Sequence, residues 1–279
     1  MNSKTESAPS ALTFCRIKEG EFQEELHRCI KEILAEGNSH NAEVFSEALW
    51  NWQYKNLPTR KSAVYVCLDA GKIAGYYHVS FYDGIIGGEK KKFGMVQDVA
   101  VKNYLRGRGI FRQLAEFATK DLMTSGIDLL YTFPNDKSIH TFLKYNGYAQ
   151  VHVCDSYLLP VKCSEIIKSK IRLAGLENLF GAVADLFFRR NLLLRQDEKI
   201  TVKKYCDDDV LLLFEDFSSR FPVYRQRSKE YMKWRFTDKP AAGHVVVSLS
   251  DGKGIKAAAL FKTDKIFNAA ALIILDFAF

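Results

Sequence analysis

The sequence predicts a mixed α/β fold in which amphipathic helices pack on the layers of a central sheet. Up to about residue 155, strand-like runs alternate with segments of helical apolar spacing, in the order β-α-α-β-β-β-α-β-α-β. Hydrophobic residues make up 47% and charged residues 26% of the chain, which excludes a disordered or coiled-coil protein. The length of 279 residues corresponds to roughly two domains.

The elements of this first part follow from the two hydrophobic periods. Apolar runs rich in β-branched and aromatic residues predict strands at residues 13–18, 63–68, 73–81, 93–101, 128–133 and 149–153. Apolar residues three and four positions apart predict helices at residues 21–35, 42–52, 106–125 and 137–145. Residues 69–71 are predicted to form a hairpin turn, and residues 82–92, which contain Gly87 and Gly88, a loop.

Composition also limits the compartment and the class of partner. Residues 1–12 are polar and lack the apolar segment of a secretory signal, so we expect a flexible tail. No apolar run approaches the ~20 residues that span a bilayer. The six cysteines form no C-x-x-C pair, which indicates reduced thiols of a cytoplasmic protein and no metal site. The net charge of +7 is too small and dispersed to predict a nucleic-acid partner.

Residues 161–200 are predicted to be a helical connector. Two helices are expected, at about residues 165–174 and 176–194, and the second carries an apolar face that ends at Arg189 and Arg190. Two interpretations remain open, a connector that packs between two domains or a helix that lies on a membrane surface with a basic edge.

The last section, residues 201–279, repeats part of the first. The motif Trp-x-aromatic-x-x-x-Pro occurs at residues 52–58 and again at residues 234–240. Residues 96–101 (VQDVAV) then match residues 274–279 (ILDFAF), with strand-like runs at 244–248, 256–261 and 267–279. Duplication explains two matches in the same order better than chance does. The second copy stops before any glycine turn, so either a C-terminal part is absent or the half-repeat packs on the first domain.

The segment with the clearest chemistry is residues 95–114. A strand runs into Arg106-Gly107-Arg108-Gly109, and a helix follows directly. The first N–H groups of a helix have no intrahelical partner and favour an anion, so this arrangement predicts a phosphate cradle. Arg106, Arg108 and Arg112 add fixed positive charge. The spacing matches neither a P-loop nor a dinucleotide-binding motif.

This loop resembles the pyrophosphate loop of the GNAT superfamily of N-acetyltransferases, which reads Gln/Arg-x-x-Gly-x-Gly/Ala. Residues 106–111 read RGRGIF, with Phe111 in place of the last small residue. Residues 131–135 (YTFPN), Ser138, Phe142 and the pair Gly147-Tyr148 are similar to the second half of that family. The likeness covers about residues 13–155, and the two Trp motifs resemble GNAT proteins built from two such domains.

The resemblance implies a GNAT-like acyl-CoA N-acyltransferase fold with a central mixed sheet in residues 13–160, and a second, partial GNAT-like domain without the phosphate loop in residues 201–279. Acetyl-CoA would lie between the fourth and fifth strands, with its pyrophosphate on the loop amides and its pantetheine along the fourth strand. The implied contacts are Val99, Ala100, Val101, Arg106, Gly107, Arg108, Gly109, Ile110, Phe111, Arg112, Asn135 and Ser138.

The groups for acid–base chemistry are less clearly marked. An alkyl amine titrates near ~10, so the acceptor must lose a proton before it attacks a thioester. The family's base lies on the fourth strand, where alternation puts positions 95, 97, 99 and 101 on one face unless a bulge intervenes. Asp98 is the one carboxylate in that strand. It is either the base or a structural carboxylate that points away, and a water chain is the alternative base.

The candidate proton donor to the leaving thiolate is Tyr145. The position that the resemblance assigns to a donor tyrosine holds Leu143, so Tyr145 is the nearest substitute. A core or surface aromatic is its alternative role, and Ser138 and His140 are the other candidate donors.

The resulting hypothesis is an N-acetyltransferase that transfers acetyl from acetyl-CoA to a primary amine of a small molecule or amino sugar. A protein or peptide amine is a less favoured acceptor, and a homodimer is left open. Two rival functions remain. One is a non-catalytic protein that binds acyl-CoA or another ligand, and the other is an aminoacyl or peptidyl transferase on the same fold.

Overall fold

The computed structural model describes residues 12–18, 21–36, 46–59, 61–153, 197–240, 243–266 and 269–279. Internal contacts divide the chain into two compact units. The first contains Met1–Val151 and Pro222–Gln226, and the second contains His152–Phe221 and Arg227–Phe279. The predicted connector helices at 165–174 and 176–194 lie outside the described residues, as do residues 1–11 of the predicted tail.

The first unit is built on a six-stranded mixed sheet. Its strands are β1 (Thr13–Ile17), β2 (Ser62–Asp69), β3 (Lys72–Ile86), β4 (Glu89–Val101), β5 (Leu129–Thr132) and β7 (Val223–Arg225). The first four strands pair antiparallel in chain order, and β5 pairs parallel with β4. Strand β7 pairs antiparallel with the last residues of β3. The sheet is therefore mixed, as predicted.

Helices cover both faces of this sheet. They are α1 (Gln23–Glu36), α2 (Glu47–Trp50) with a π-helical turn (Asn51–Lys55), α3 (Ile110–Thr124) and α4 (Asp136–Tyr145). Ser46 caps α2 by accepting the amide of Leu49 at 3.1 Å. Of the predicted helix at 42–52, the described part thus continues as a π-helical turn to residue 55.

Two apolar clusters separate the helices from the sheet. The α3-side core joins buried residues of α3 to one sheet face, and includes Tyr77, Val79, Val96, Val101, Ile110 and Leu114. The α1-side core joins α1 and the segment around Trp50 to the other face, and includes Leu26, Ile30, Trp50, Tyr54, Ile73 and Tyr76. The two faces of the sheet are therefore distinguishable by which cluster a side chain joins.

Leu114 lies in the centre of the α3-side core, where none of its surface reaches solvent. We expect Leu114→Ala to lower the free energy of unfolding by about 2–5 kcal/mol, because it removes buried methyl groups and leaves a cavity. Urea unfolding followed by fluorescence measures this. Leu143→Ala, at a leucine of α4 that is 40% exposed, is the control and should change stability by less than about 0.5 kcal/mol. Equal losses in both variants would contradict the assignment of Leu114 to the core.

Two predicted elements of the first unit are wrong. Residues 82–92 are not a loop, because β3 and β4 run through them to a two-residue turn at Gly87 and Gly88. Both glycines have positive φ (58° and 85°), as a tight hairpin turn requires. Residues 149–153 form no strand: Val151 and Val153 are 97% and 61% exposed, and none of the described strands pairs with them. The β propensity of these residues stabilises a strand only where a neighbouring strand packs against it.

The second unit contains a four-stranded antiparallel sheet in the order β10-β9-β8-β6. Its elements are β6 (Lys199–Lys203), α5 (Asp208–Ser219), α6 (Lys229–Met232), a second π-helical turn (Lys233–Thr237), β8 (His244–Asp251), β9 (Gly254–Ile266) and β10 (Ala269–Ala278). Within the described residues, no helix combines the length and apolarity needed to cross a bilayer.

The order strand, helix, π-helical turn and three antiparallel strands occurs in both units. The tryptophans of the two Trp motifs, Trp52 and Trp234, are buried in the two π-helical turns. The duplication itself stays a prediction, and this shared order is the observation that favours it.

Candidate active site

Strands β4 and β5 separate part of the way along their length. Their pairing ends where Val96 lies opposite Thr132, whereas β4 continues to Val101. Because β5 stops there and the chain turns into α4, residues 97–101 of β4 have no strand partner on that side among the described residues. This gap in the pairing is the opening between β4 and β5. This is the place that the sequence assigned to the pantetheine arm.

The loop after β4 presents exposed backbone at the start of α3. Residues 106–109 form a turn, in which Gly107 and Gly109 have φ of +75° and +72°. The carbonyl oxygen of Gly109 accepts the amide of Gln113 at 3.1 Å, and no side chain caps the helix at Gly109. Space is open here, since a Cβ on Gly109 would meet its nearest neighbour, Gln113 Nε2, only at 4.0 Å. The arrangement suits a phosphate group.

The side chains of this loop have distinct roles. Nε of Arg106 donates to the carbonyl oxygen of Val101 at 3.0 Å, which ties the turn to the end of β4. Phe111 packs on the α3-side core, with its ring centroid 5.6 Å from that of Phe142. The departure of Phe111 from the family pattern therefore falls on the core side of the helix. Arg112 bonds Glu116 at 2.7 Å, and Arg108 is exposed.

A bulge in β4 changes which residues share a face. Val99 pairs with Tyr77 and Gln97 with His78, so Asp98 is the extra residue, with φ of +48°. Gln97 donates to Ser80 Oγ at 2.6 Å. The expectation that positions 97, 99 and 101 share one face held only without a bulge, and the bulge at Asp98 separates Gln97 from the other two. The extra residue puts Val99 and Val101 on the α3-side core, while Gln97 and Asp98 lie on the α1 side.

Asp98 is held by two donors from the π-helical turn. The hydroxyl of Tyr54 donates to Asp98 Oδ2, and Nε2 of Gln53 donates to the same oxygen at 3.1 Å. Gln53 Nε2 also lies 2.9 Å from the hydroxyl oxygen of Tyr54. Desolvation by the surrounding protein raises the pKa of Asp98, and the two hydrogen bonds oppose that rise. The residue still presents surface to solvent.

Comparison with known proteins now gives the family. The family model for the acetyltransferase (GNAT) domain matches residues 21–151. These residues belong to the GNAT acetyltransferase family. The opening between β4 and β5 and the glycine turn both lie inside the matched range. A comparison with curated proteins finds no match.

Solved structures support the GNAT fold over a longer stretch. A GCN5-related N-acetyltransferase from Anabaena variabilis is 12% identical, with 95% of this chain and 58% of that chain covered at a TM-score of 0.62. A conserved protein of unknown function from Enterococcus faecalis is 12% identical. The match covers 91% of this chain and 56% of that chain, at a TM-score of 0.59. The chain thus spans somewhat over half the length of these two proteins.

An aminoglycoside acetyltransferase from an uncultured soil metagenomic sample, solved with trehalose, is 19% identical to this chain. The match covers 53% of this chain and 95% of that one, at a TM-score of 0.43. The prediction of a mixed α/β GNAT-like fold is confirmed by the family match and the two longer structural matches. The GNAT domain is an N-acetyltransferase domain, and enzymes of this family take their acetyl group from acetyl-CoA.

The candidate donor Tyr145 lies at the end of α4 in the GNAT domain and is 40% exposed. Its ring stacks under the guanidinium of Arg112 at 5.1 Å and faces the ring of His140 at 6.2 Å. The structure thus places Tyr145 against Arg112 of α3, which follows the glycine turn by three residues. Among the described residues, these ring contacts do not include Asp98.

Two residues near Asp98 were missed as functional residues by the sequence reasoning. Tyr54 and Gln53 sit inside the Trp-x-aromatic motif, which is typical of a core anchor, and that motif was the available signal. His78 of β3 is fully buried, with its ring 4.4 Å from that of Tyr54, and burial lowers its pKa to about 3. Within the described ranges, no three His, Cys, Asp or Glu side chains gather as metal ligands would.

Asn135 caps α4 in the GNAT domain. Its Oδ1 accepts the amides of Lys137 and Ser138, both at 3.1 Å, and the hydroxyl of Ser138 at 3.1 Å. We expect Asn135→Ala to lower the free energy of unfolding by about 1 kcal/mol, because the cap is lost. Asn135→Asp keeps the cap oxygen but removes the amide donor, so stability should hold while CoA affinity falls. Urea unfolding and calorimetry separate the two effects, and full CoA affinity in Asn135→Asp would limit Asn135 to capping.

Proposed function

We propose that the GNAT domain transfers an acetyl group from acetyl-CoA to the primary amine of a small molecule or amino sugar. The observation that carries this proposal is the placement of two features about the opening between β4 and β5. The uncapped N-terminus of α3 follows the end of β4, and the Asp98 carboxyl lies on the α1 side of the same strand. A phosphate site and a proton acceptor thus belong to neighbouring parts of one strand and its loop.

The residues at the loop fit acetyl-CoA. The amides of Gly107, Arg108, Gly109, Ile110 and Phe111 would hold the pyrophosphate, and the open space at both glycines leaves room for it. Backbone groups of Val99, Ala100 and Val101 would pair with the pantetheine, with Asn135 and Ser138 on the facing side. Arg106, Arg108 and Arg112 would add positive charge. When bound, acetyl-CoA supplies an acyl thioester whose thiolate is the leaving group.

Asp98 would prepare the acceptor for attack. The acceptor arrives as an ammonium group, and one proton passes from its nitrogen to the Asp98 carboxylate. The freed amine lone pair forms the C–N bond of the amide while the C–S bond of the thioester breaks. The thiolate takes up a proton, for which Tyr145 is the proposed donor, with Ser138 and His140 as alternatives. The second proton, which the nitrogen loses as the amide forms, restores the donor, and the proton held by Asp98 is released to solvent. The sum is one amide, one CoA thiol and one released proton.

A cavity that could hold a small acceptor lies beside Tyr54, the residue that donates to Asp98. Tyr54 lines a cavity of about 240 Å³ together with Trp50, Leu26 and Phe81. A volume of this order holds an amine of modest size, although Asp98 is not among the described residues that line the cavity.

We propose that residues 201–279 form part of a GNAT-like domain, whose described residues include no counterpart of the glycine turn at residues 106–109. The position equivalent to Tyr54 in its π-helical turn is Phe236, which has no hydroxyl. Its Asp276 is bound by the guanidinium of Arg227 at 2.8 Å. We place the enzyme in the cytoplasm, in keeping with free thiols at Cys15, Cys29, Cys67 and Cys206. Light scattering of the purified chain tests the homodimer.

Calorimetry with acetyl-CoA tests the cofactor assignment first. We expect micromolar binding, and its absence would overturn the proposal. Release of the CoA thiol across a panel of small amines, amino sugars and peptide amines then tests the reaction. Binding without thiol release from any acceptor would favour the non-catalytic alternative. Turnover with an aminoacyl donor in place of acetyl-CoA would favour the rival transferase.

A further inference from the structure

The π-helical turn brings an amide and a hydroxyl together on one oxygen of Asp98. Tyr54 is 3% exposed, and its ring is packed between those of Trp50 (5.4 Å) and His78 (4.4 Å), so the position of its hydroxyl is fixed. Gln53 bonds both that hydroxyl and the carboxylate. Two donors from adjacent residues on a single carboxylate oxygen orient the group more strictly than one does.

The bulge makes this contact possible. In regular alternation Asp98 would follow Gln97 onto the opposite face, into the α3-side core. The left-handed backbone at Asp98 instead keeps its side chain on the face of Tyr54. Aspartate is among the few residues other than glycine that adopt this conformation readily. A left-handed residue inside a strand whose carboxylate accepts two hydrogen bonds points to a function for that carboxylate.

We propose that Tyr54 and Gln53 are positioning residues for the acetyl transfer, which hold the Asp98 carboxylate by Oδ2 so that Oδ1 receives the proton of the acceptor. This inference rests on the proposed function, in which Asp98 is the base. Both donors favour the ionised carboxylate and counteract the desolvation that raises its pKa. Two titratable side chains of β3, Tyr76 and His78, lie near this group, and His27 of α1 packs on Trp50 beside them. Tyr76 belongs to the same cluster, and His78 is kept neutral by burial.

Tyr54→Phe removes the hydroxyl and keeps the ring. Because a donor to the ionised form is lost, the Asp98 carboxyl should titrate at higher pH, and the acid limb of kcat/KM should move with it. At pH 7 we expect kcat/KM to fall roughly ten- to a hundredfold, the loss of a hydrogen bond to a charged group. Gln53→Leu should give a smaller shift in the same direction. It serves as the second variant if Tyr54→Phe folds poorly.

The control is Tyr65→Phe. Tyr65 donates to Asp121 Oδ2 at 2.6 Å in the other core, so this variant removes a tyrosine–aspartate bond away from the site. The titration of the Asp98 carboxyl carbon is followed by NMR in the full chain without CoA, and its signal is assigned with Asp98→Asn. The pH profile of kcat/KM is measured separately, with the same acceptor for every variant. The carboxyl titration and the acid limb of kcat/KM should both shift to higher pH in Tyr54→Phe, and neither should shift in Tyr65→Phe.

Two results would overturn the inference in different ways. An unmoved carboxyl titration in folded Tyr54→Phe and Gln53→Leu would show that neither residue controls Asp98, whatever the enzyme does. A carboxyl that shifts while the acid limb stays would show that the contact is real but that Asp98 is not the base. The second result removes the proposed role of Asp98 without touching the cofactor assignment.

Discussion

Asp98→Asn is expected to lower kcat by roughly a hundred- to ten-thousand-fold, the usual contribution of a general base. An amide at this position still accepts a hydrogen bond from Tyr54, so the shape of the site is kept. It cannot take the proton of an ammonium acceptor. The acid limb of the pH profile should also disappear, because activity in the native protein rises as Asp98 ionises. Steady-state kinetics between pH 5 and 10 (about the range where an aspartate with a raised pKa and an amine titrate) measures both effects.

Affinity for acetyl-CoA separates chemistry from folding in this experiment. The loop lies outside the contacts of Asp98, so the variant should bind the cofactor within about twofold of the native protein, by calorimetry, a change below about 0.5 kcal/mol. The matched control is Asp69→Asn. Asp69 also accepts a tyrosine hydroxyl, that of Tyr104 at 2.9 Å, but it lies at the β2–β3 hairpin. Retention of more than a tenth of kcat in Asp98→Asn would instead favour a water chain as the base.

Gly109→Trp should abolish binding of acetyl-CoA. The backbone at Gly109 is left-handed and has open space where a side chain would begin, so an indole would project into the volume assigned to the pyrophosphate. It would also block the amides at the start of α3. Loss of several hydrogen bonds to a charged group lowers affinity on the order of a hundredfold or more. Calorimetry with CoA and with acetyl-CoA measures the loss.

Gly71→Trp is the matched control for backbone strain. Gly71 has φ of +78°, and no atom lies within 4 Å of the position that a Cβ would take there, so it shares the strain and the open surroundings of Gly109. It lies in the β2–β3 hairpin, outside residues 106–109. Comparable destabilisation of both variants in urea, with affinity lost only in Gly109→Trp, is the expected result. Unchanged affinity in Gly109→Trp would remove the loop from the cofactor site.

The glycine turn at residues 106–109 was the part of the candidate site that the sequence predicted best. Glycines at 107 and 109 are required by local backbone geometry, and the amphipathic period of α3 is visible in the chain itself. Strands β1 to β5 were found from their apolar pattern, whereas β7 was not predicted and the strand predicted at residues 149–153 is absent. The ends of β3 and β4 were missed because Gly87 and Gly88 indicated a loop, whereas paired glycines with positive φ also close the tightest hairpins.

The surroundings of Asp98 could not be read in the same way. A bulge leaves no mark in the alternation of VQDVAV, so the face of Asp98 was undetermined until the register with β3 was known. The contact with Tyr54 joins residues 44 positions apart and depends on a π-helical turn. The Trp motif pointed to the right segment, but burial of an aromatic ring and donation by its hydroxyl have the same sequence signature.

The second unit carries a bulge as well, one residue earlier relative to its aspartate. Ile274 pairs with Phe261 and Asp276 with Leu260, so the extra residue of β10 is Leu275. Aligning the two halves by their aspartates therefore equates positions that have different backbone surroundings. To copy the aspartate–tyrosine pair of the first half into the second would take Leu275→Asp together with Phe236→Tyr. An alignment centred on the shared aspartate would therefore conceal that the bulge lies at Asp98 in the first half and at Leu275 in the second.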